Sequence, residues 1–296
     1  MDEMTYKLGK LPALPDKRNI KLASILRKKL LPELPDTYDI DDALGGIDDN
    51  RMFANDEYGN CVIAARAHQT FRFEKYEQGK QIAITDQEVI DQYLKEALGI
   101  DMGLILLLSL KRWRKEGWSV GGKNYTIYAF SNVDWKNHEE VRHCIHLLGG
   151  VNFGMKVYQS DIDQIEAGEA WHLTDGIGAY LGGHGVYAYK FGKLIGYDER
   201  GVTCMTWGKR QRMTWAFWDN RVDEAYGIVD NRDDWLEDSP LDVEKLDQHL
   251  FEITGEGEPS FCLIMRFGAA LFNLGPRLFR RKSRFFALAP RHRPCQ

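Results

Sequence analysis

Residues 55–65 read Asn-Asp-Glu-Tyr-Gly-Asn-Cys-Val-Ile-Ala-Ala, a turn that runs straight into a helix with Cys61 at the junction. A thiol at a helix N-terminus lies at the positive end of the helix dipole, which favours the nucleophilic thiolate. Far downstream, residues 182–185 read Gly-Gly-His-Gly and open a strand-like run. A cysteine with a distant histidine is the sequence outline of a cysteine-nucleophile enzyme, so we predict Cys61 and His184 as a catalytic pair.

Composition narrows the class of protein. The 296 residues are 44% hydrophobic and 12% aromatic, enough for a substantial core. A formal charge of -5 gives no global sign of a nucleic-acid partner. The five cysteines are scattered and odd in number, and Met1-Asp2-Glu3 is acidic where a secretory signal would be basic. We therefore expect a reduced, cytoplasmic protein without a membrane span, because the longest apolar run, 261–274, is short and contains Arg266.

The chain changes character along its length. Residues 1–36 are rich in Lys, Leu and Pro and predict an extended arm. Residues 37–230 predict one domain with helices first and strands later, which indicates an α+β fold with a helical lobe and a β-rich lobe. Residues 231–258 are acidic and predict a helix plus a loop. Residues 259–296 form a basic tail that we expect to be a disordered, solvated end, although an anionic partner could bind it.

Hydrophobic periodicity and turn residues predict the individual elements. The pattern predicts helices over 61–79, 85–98, 104–116 and 138–148. It predicts strands over 124–130, 151–158, 185–191, 193–197, 202–207 and 225–229. His143 and His146 share a helix, but a helical wheel puts them on its polar face, so we expect exposed side chains and no metal site.

The order of short blocks resembles that of the papain-like cysteine peptidases. The blocks in this chain are Asn55, Gly59, Cys61, Ala64-Ala65, the helix start 85–89, His184-Gly185, and Met205-Thr206-Trp207-Gly208. The resemblance extends to divergent phage and bacterial papain-fold proteins, through Met213 to Trp218 and Asp223 to Tyr226. It implies a two-lobed papain-like fold, no cofactor or metal, a peptide or protein substrate, and virion association if the gene is carried by a phage.

Two positions depart from the pattern that the resemblance implies. The oxyanion donor of the family is a Gln side chain, and the matching residue is Asn55, whose amide can donate but is one methylene shorter. The family's histidine-orienting Asn maps to Met205, which cannot hydrogen-bond an imidazole in that way. Asp198 and Thr206 are the candidates for that task, and we predict Asp198 because a carboxylate is the better acceptor. Trp207 retains the aromatic position beside the histidine.

The sequence leaves two functions open. The first is hydrolysis of amide bonds, with Cys61 as nucleophile, His184 as acid and base, and Asn55 and Asp198 in support. The alternative is a catalytically inactive papain-fold protein with a binding or structural role, such as a phage particle component. The presence of Met205 at the position of the orienting Asn favours this alternative. No inhibitory pro-region is recognised in the roughly fifty residues before the Cys61 block, which also favours the alternative or an enzyme that is not stored as a zymogen.

Overall fold

The computed structural model describes residues 6–235 and 238–255. The helices are α1 (Leu22–Ile25), α2 (Ile40–Ala43), α3 (Cys61–Gln78), α4 (Asp86–Glu96), α5 (Leu106–Glu116), α6 (His138–Leu148), α7 (Gln159–Glu166), α8 (Trp215–Arg221) and α9 (Val243–Thr254). The strands are β1 (Tyr38–Asp39), β2 (Trp118–Val120), β3 (Lys123–Tyr125), β4 (Ala129–Asn132), β5 (Val151–Tyr158), β6 (Tyr180–Lys193), β7 (Arg200–Thr206), β8 (Lys209–Thr214) and β9 (Val222–Val229). The predictions for the basic tail, 259–296, lie outside the described residues.

The chain divides into two units. The first contains the described residues up to Leu22 together with Leu34–Asp230, and therefore every strand. The second contains Ala23–Glu33 and the described residues from Asn231 onward. In the second unit, α9 provides the helix predicted within 231–258, and Asp242 caps it by accepting a hydrogen bond from the Lys245 N–H at 3.1 Å. The acidic segment thus has an ordered helix with its own N-cap.

The main sheet of the first unit is antiparallel throughout. Its strand order is β4-β9-β5-β6-β7-β8, and β1 pairs separately with β6. Helices α3, α4 and α5 precede every strand of this sheet except β1, as the α+β prediction requires. The order of elements confirms the predicted fold class. The strand order places β6, which bears the predicted histidine, between β5 and β7.

Helix α3 begins at Cys61, and the backbone carbonyl of Asn60 accepts its first hydrogen bonds. The Asn60 carbonyl accepts the N–H groups of Ile63 and Ala64 at 2.8 and 3.0 Å, and its side-chain amide donates to the Phe53 carbonyl at 2.7 Å. The helix ends at Gly79, whose φ of 71° is the left-handed conformation that glycine adopts without cost. The predicted helix over 61–79 is confirmed within one residue.

Helix α3 also carries a buried charge. The Arg72 side chain is fully buried, donates to Asp41 at 2.8 and 2.9 Å and to Asp49 at 2.6 Å, and lies over the Tyr189 ring at 4.4 Å. Asp49 also contacts His68 at 2.5 Å. A buried arginine is tolerated where carboxylates and hydrogen bonds replace its hydration, and this cluster supplies both.

Three parts of the predicted element pattern are wrong. The run 193–197 is not a strand, because β6 ends at Lys193 and the chain then turns back towards β7. The run 124–130 is divided between β3 and β4, which pair with different strands. Helices α7 and α8 were not predicted, because they are too short to show a helical periodicity. The clearest local signal for α8 is Thr214, whose hydroxyl caps the helix by accepting the Phe217 N–H at 3.2 Å.

Among the described residues, every helix is too short or too polar to cross a bilayer.

Candidate active site

The structure brings Cys61 against the strand that carries His184. The Gly185 N–H donates to the Cys61 sulfur at 3.3 Å, and Gly185 directly follows the histidine in β6. A side chain at position 185 would put its Cβ 3.1 Å from Val62, which is tighter than normal packing, so glycine permits this approach. The Cys61 thiol therefore lies against the residue that follows His184, although the two positions are far apart in sequence.

The His184 ring is fixed by a hydrogen bond at one edge and by an aromatic ring stacked on one face. Its Nε2 lies 2.5 Å from the Thr206 hydroxyl, and the ring stacks on Trp207 with centroids 3.9 Å apart and planes 12° from parallel. The other ring nitrogen, Nδ1, has no hydrogen-bond partner among the described residues. Burial lowers the pKa of His184 to about 3, so the imidazole is neutral in this structure. The arrangement fixes the ring plane and leaves one nitrogen available for proton transfer.

Trp207 reaches the imidazole from a strained turn. Thr206 pairs with Lys209, and the two residues between them, Trp207 and Gly208, have φ angles of 43° and 68°. The left-handed region is natural for glycine in a two-residue hairpin, but it costs a tryptophan roughly 1–3 kcal/mol. Strain of this kind persists where the surrounding contacts over-determine it, and here it presents the indole face to His184.

The prediction that Asp198 holds the imidazole is corrected by the structure. Asp198 is exposed in the loop that connects β6 to β7, whereas His184 is buried at the other end of β6. The pairing of Tyr187 with Met205 brings the following residue, Thr206, to the imidazole instead. Because a hydroxyl can accept a hydrogen bond as well as donate one, it can orient the ring, but it carries no charge to stabilise an imidazolium.

Asn55 lies buried within the turn that leads into Cys61. Its side-chain amide donates to the Tyr58 carbonyl at 3.0 Å and to the Lys7 carbonyl at 3.3 Å. The second bond shows that the amide can reach a carbonyl oxygen lying in the cleft. This is the capability that the predicted oxyanion role requires of the shorter side chain.

Residues 6–11, here called the cleft segment, pass over the thiol. The Lys10 N–H donates to the Gly183 carbonyl at 3.0 Å, beside His184. On the other wall, the Leu11 N–H donates to the Leu104 carbonyl at 2.8 Å, and the Leu104 N–H donates to the Gly9 carbonyl at 2.7 Å. The segment is bonded to both walls through its backbone, as an extended peptide ligand is.

The beginning of the cleft segment covers Trp207. The Lys7 carbonyl accepts the indole N–H of Trp207 at 3.2 Å, and the Lys7 N–H donates to the Asn55 carbonyl at 3.1 Å. The Tyr6 ring packs edge-on against Trp207 at 5.0 Å, and its hydroxyl accepts from the Lys209 ammonium at 3.0 Å. No inhibitory pro-region was recognised before the Cys61 block, and the structure places residues 6–11 over the thiol and Trp207.

Close contact with the turn before Cys61 depends on glycine at position 9. A Cβ on Gly9 would lie 1.7 Å from the Gly59 carbonyl oxygen, a backbone atom that cannot rotate away. Neither Gly9 nor Lys10 belongs to a motif, and a lone glycine in a Lys- and Leu-rich arm is the only sequence signal. The cleft segment is thus matched to this surface at a point that sequence patterns do not reveal.

The thiol is uncharged while the cleft segment is in place. Burial raises the pKa of Cys61, although the N–H groups of Gly185 and Gly9 hydrogen-bond the sulfur and act in the opposite direction. The helix dipole that favours a thiolate is therefore outweighed by the loss of water. Burial therefore favours the uncharged form of both Cys61 and His184.

His143 and His146 of α6 are not exposed as predicted. His143 is buried, His146 is half-buried, and neither Nδ1 atom has a hydrogen-bond partner among the described residues. The polar face of α6 packs against the protein, since the His146 ring contacts Tyr38 at 4.7 Å. In the described parts of the chain, no group of three or more His, Cys, Asp or Glu side chains is arranged to hold a metal ion.

Comparison with solved structures identifies the fold. Xylellain, a cysteine protease from Xylella fastidiosa, has 16% identity and a TM-score of 0.58, covering 78% of this chain and 99% of its own. Procathepsin B from Trypanosoma congolense has 12% identity and a TM-score of 0.51, covering 75% and 80%. A Carica candamarcensis cysteine protease in complex with E-64 has 13% identity and a TM-score of 0.51, covering 67% and 100%.

The chain therefore has the fold of the papain-like cysteine proteases, as its sequence blocks predicted. No family model and no curated protein sequence matches it. The identities are low enough that the likeness describes the fold, and the chemistry has to be argued from the residues of this chain.

Proposed function

We propose that this chain is a cysteine peptidase whose cleft segment keeps it latent. The observation that carries the proposal is the meeting of Cys61 and β6 at the Gly185 N–H, next to an imidazole held by Thr206 and Trp207. A thiol at a helix N-terminus and an imidazole with one available nitrogen on the facing strand support the roles of nucleophile and base.

In the proposed reaction, the His184 imidazole takes the thiol proton once the cleft is open to substrate. The Cys61 sulfur forms a bond to the substrate carbonyl carbon, and the oxygen becomes negative. The Asn55 amide and the Cys61 backbone N–H donate to that oxygen. His184 then gives its proton to the leaving amine as the C–N bond breaks, and water releases the acyl group by the reverse sequence.

The cleft segment resists this chemistry because of the way it lies. The Gly9 N–H, rather than a carbonyl carbon, is directed at the Cys61 sulfur, and the Gly9 carbonyl is bonded to Leu104. Attack requires the sulfur to approach a carbonyl carbon, which this arrangement does not offer. Two similar structures, procathepsin B and the ragweed allergen Amb a 11, are proforms, and Amb a 11 has 16% identity and a TM-score of 0.52. They support a latent form.

The experiment is thiol labelling of the full chain with iodoacetamide at pH 6, read by mass spectrometry. We compare wild type with Gly9→Val, because the valine Cβ collides with the Gly59 carbonyl and displaces the segment. We expect slow labelling of Cys61 in wild type and rapid labelling in Gly9→Val, lost when His184→Ala is added. Cleavage of a quenched fluorescent peptide library by Gly9→Val completes the test.

The buried thiols Cys144 and Cys204 serve as internal controls, because their labelling reports unfolding rather than opening of the cleft. The proposal is rejected if Cys61 of Gly9→Val reacts no faster than the same cysteine in the urea-unfolded chain. That result would favour the alternative of a papain-fold protein that binds or builds without cutting. Rapid labelling of wild type would instead reject the latency.

A further inference from the structure

The ammonium group of Lys10 is bound in a buried pocket formed by two carboxylates beside the thiol. Its Nζ lies 2.7 and 2.9 Å from the two Asp223 oxygens and 3.0 Å from Glu224, and the side chain is only 1% exposed. A Cβ on Gly154 would lie 2.1 Å from the lysine Cε, so the pocket exists because residue 154 is glycine. We call Gly154, Asp223 and Glu224 the carboxylate pocket.

The carboxylate pocket belongs to the cleft wall and not to the cleft segment. Gly154 in β5 pairs with Glu224 in β9 on one side and with Gly185 in β6 on the other. Gly185 is the residue whose N–H contacts the Cys61 sulfur. The pocket therefore remains, next to the thiol, when the segment leaves.

An empty carboxylate pocket calls for a cationic occupant. The Glu224 side chain is 4% exposed and also accepts the Tyr226 hydroxyl at 3.1 Å, so it has little contact with water. An apolar side chain placed there would bury two carboxylates without a counter-charge, which is costly, whereas an ammonium or guanidinium restores the contacts made by Lys10.

We propose that the carboxylate pocket is a specificity site that selects substrates with a lysine or arginine side chain close to the scissile bond. The inference rests on the proposed peptidase function. In it, Lys10 occupies the place of the substrate's basic side chain, while the backbone of the cleft segment presents no carbonyl for attack. The sequence gives no motif for this site, since its residues lie on different strands.

The test uses full-length Gly9→Val and quenched fluorescent peptides that differ only in lysine or norleucine at one of the four positions around the scissile bond. Norleucine has the length of lysine without its charge. We expect kcat/KM to favour lysine by about 30-fold or more at one position. Adding Asp223→Asn and Glu224→Gln brings the ratio of the lysine to the norleucine kcat/KM near one.

The same peptides are used to protect Cys61 from iodoacetamide, which measures binding without cleavage. Preferential protection by the lysine peptide supports the pocket even if no peptide is cut, in which case the peptidase function fails alone. Equal cleavage or protection by lysine and norleucine at all four positions overturns the pocket while leaving the peptidase intact. The comparison of peptides on Gly9→Val alone decides the matter if the carboxylate variants do not fold.

Discussion

Arg72 and Lys10 are both cationic side chains buried against two carboxylates, in different parts of the first unit. Arg72 is enclosed in the core by Asp41 and Asp49, whose side chains are 5% and 0% exposed. Lys10 is enclosed in the cleft by Asp223 and Glu224, and the Asp223 side chain retains 27% exposure. Both cations face two carboxylates, although Asp41 also pairs with Arg210 at 2.6 Å. The Arg72 cluster is closed to water, and the Lys10 cluster is at the edge of a groove.

The origin of the cation decides what each cluster can do. Arg72 projects from an 18-residue helix that packs across the sheet, so it cannot leave without unfolding the unit. Lys10 is carried by a six-residue stretch whose other contacts are chiefly backbone hydrogen bonds to the cleft walls. Similar electrostatics therefore serve a permanent core in one place and a removable occupant in the other.

The largest expected effect is on Arg72. Arg72→Met removes the guanidinium and leaves Asp41 and Asp49 buried, and we expect the free energy of unfolding to fall by about 3–5 kcal/mol. Urea denaturation followed by fluorescence measures the change. The matched control is Arg51→Met, which breaks a largely exposed pair with Asp86 and is expected to cost about 0–1 kcal/mol. Equal costs for the two substitutions would contradict the closed character of the core cluster.

Lys10→Met is expected to open the cleft rather than unfold the unit. The carboxylates of the pocket regain water as the segment loosens, so the unfolding free energy falls by less than about 2 kcal/mol. Labelling of Cys61 rises by about 10-fold, which corresponds to a weakening of about 1.4 kcal/mol. Lys7→Met changes an exposed lysine of the same segment and leaves the rate unchanged. A loss of stability as large as that of Arg72→Met would show that the segment is an integral part of the core.

The sequence predicted those parts of the site that depend on local patterns. Cys61 and His184 were predicted from a turn that runs into a helix and from a glycine-flanked strand start, and the Cys61 sulfur lies against Gly185, the residue after His184. The identity of the imidazole partner depends on strand register, which placed Thr206 at the ring although acceptor strength favoured Asp198. The cleft segment depends on backbone bonds between residues about 50 to 170 positions apart, for which side-chain patterns contain no signal.

Acid should affect the two clusters in opposite directions. Burial acts to raise the pKa of Asp49, but the charges of His68 and Arg72 outweigh it and hold this pKa below its ordinary 3.8. The ionised Asp49 therefore stabilises the folded state above pH 3.8, and this stabilisation is lost as the pH falls through the lowered pKa. Burial raises the pKa of Glu224 above 4.5 despite the Lys10 charge, so the folded state takes up this proton first and gains stability as the pH falls towards 4.5.

The measurement is the unfolding free energy between pH 7 and pH 3. The difference in unfolding free energy between wild type and Glu224→Gln should shift in favour of wild type as the pH falls from the raised pKa of Glu224 to 4.5. The advantage over Asp49→Asn should shrink below 3.8. Changes of the same sign in both differences would refute the assignment of the two carboxyl environments.

The smallest expected effect comes from Gly154→Ala, which changes only the space around the Lys10 side chain. The new Cβ would lie 2.1 Å from Cε and 2.9 Å from Nζ, both at the far end of a flexible side chain, so the lysine shifts while the strand stays in place. We expect Cys61 labelling to rise by about 2- to 5-fold, less than in Lys10→Met. Gly176→Ala, where an added Cβ meets nothing within 4 Å, is the control and leaves the rate unchanged. An unchanged labelling rate in Gly154→Ala as well would mean that the backbone hydrogen bonds hold the segment without help from the carboxylate pocket. The Lys10 side chain would then contribute no more to binding the segment than an exposed lysine does, in contrast to the contribution of Arg72 to the core.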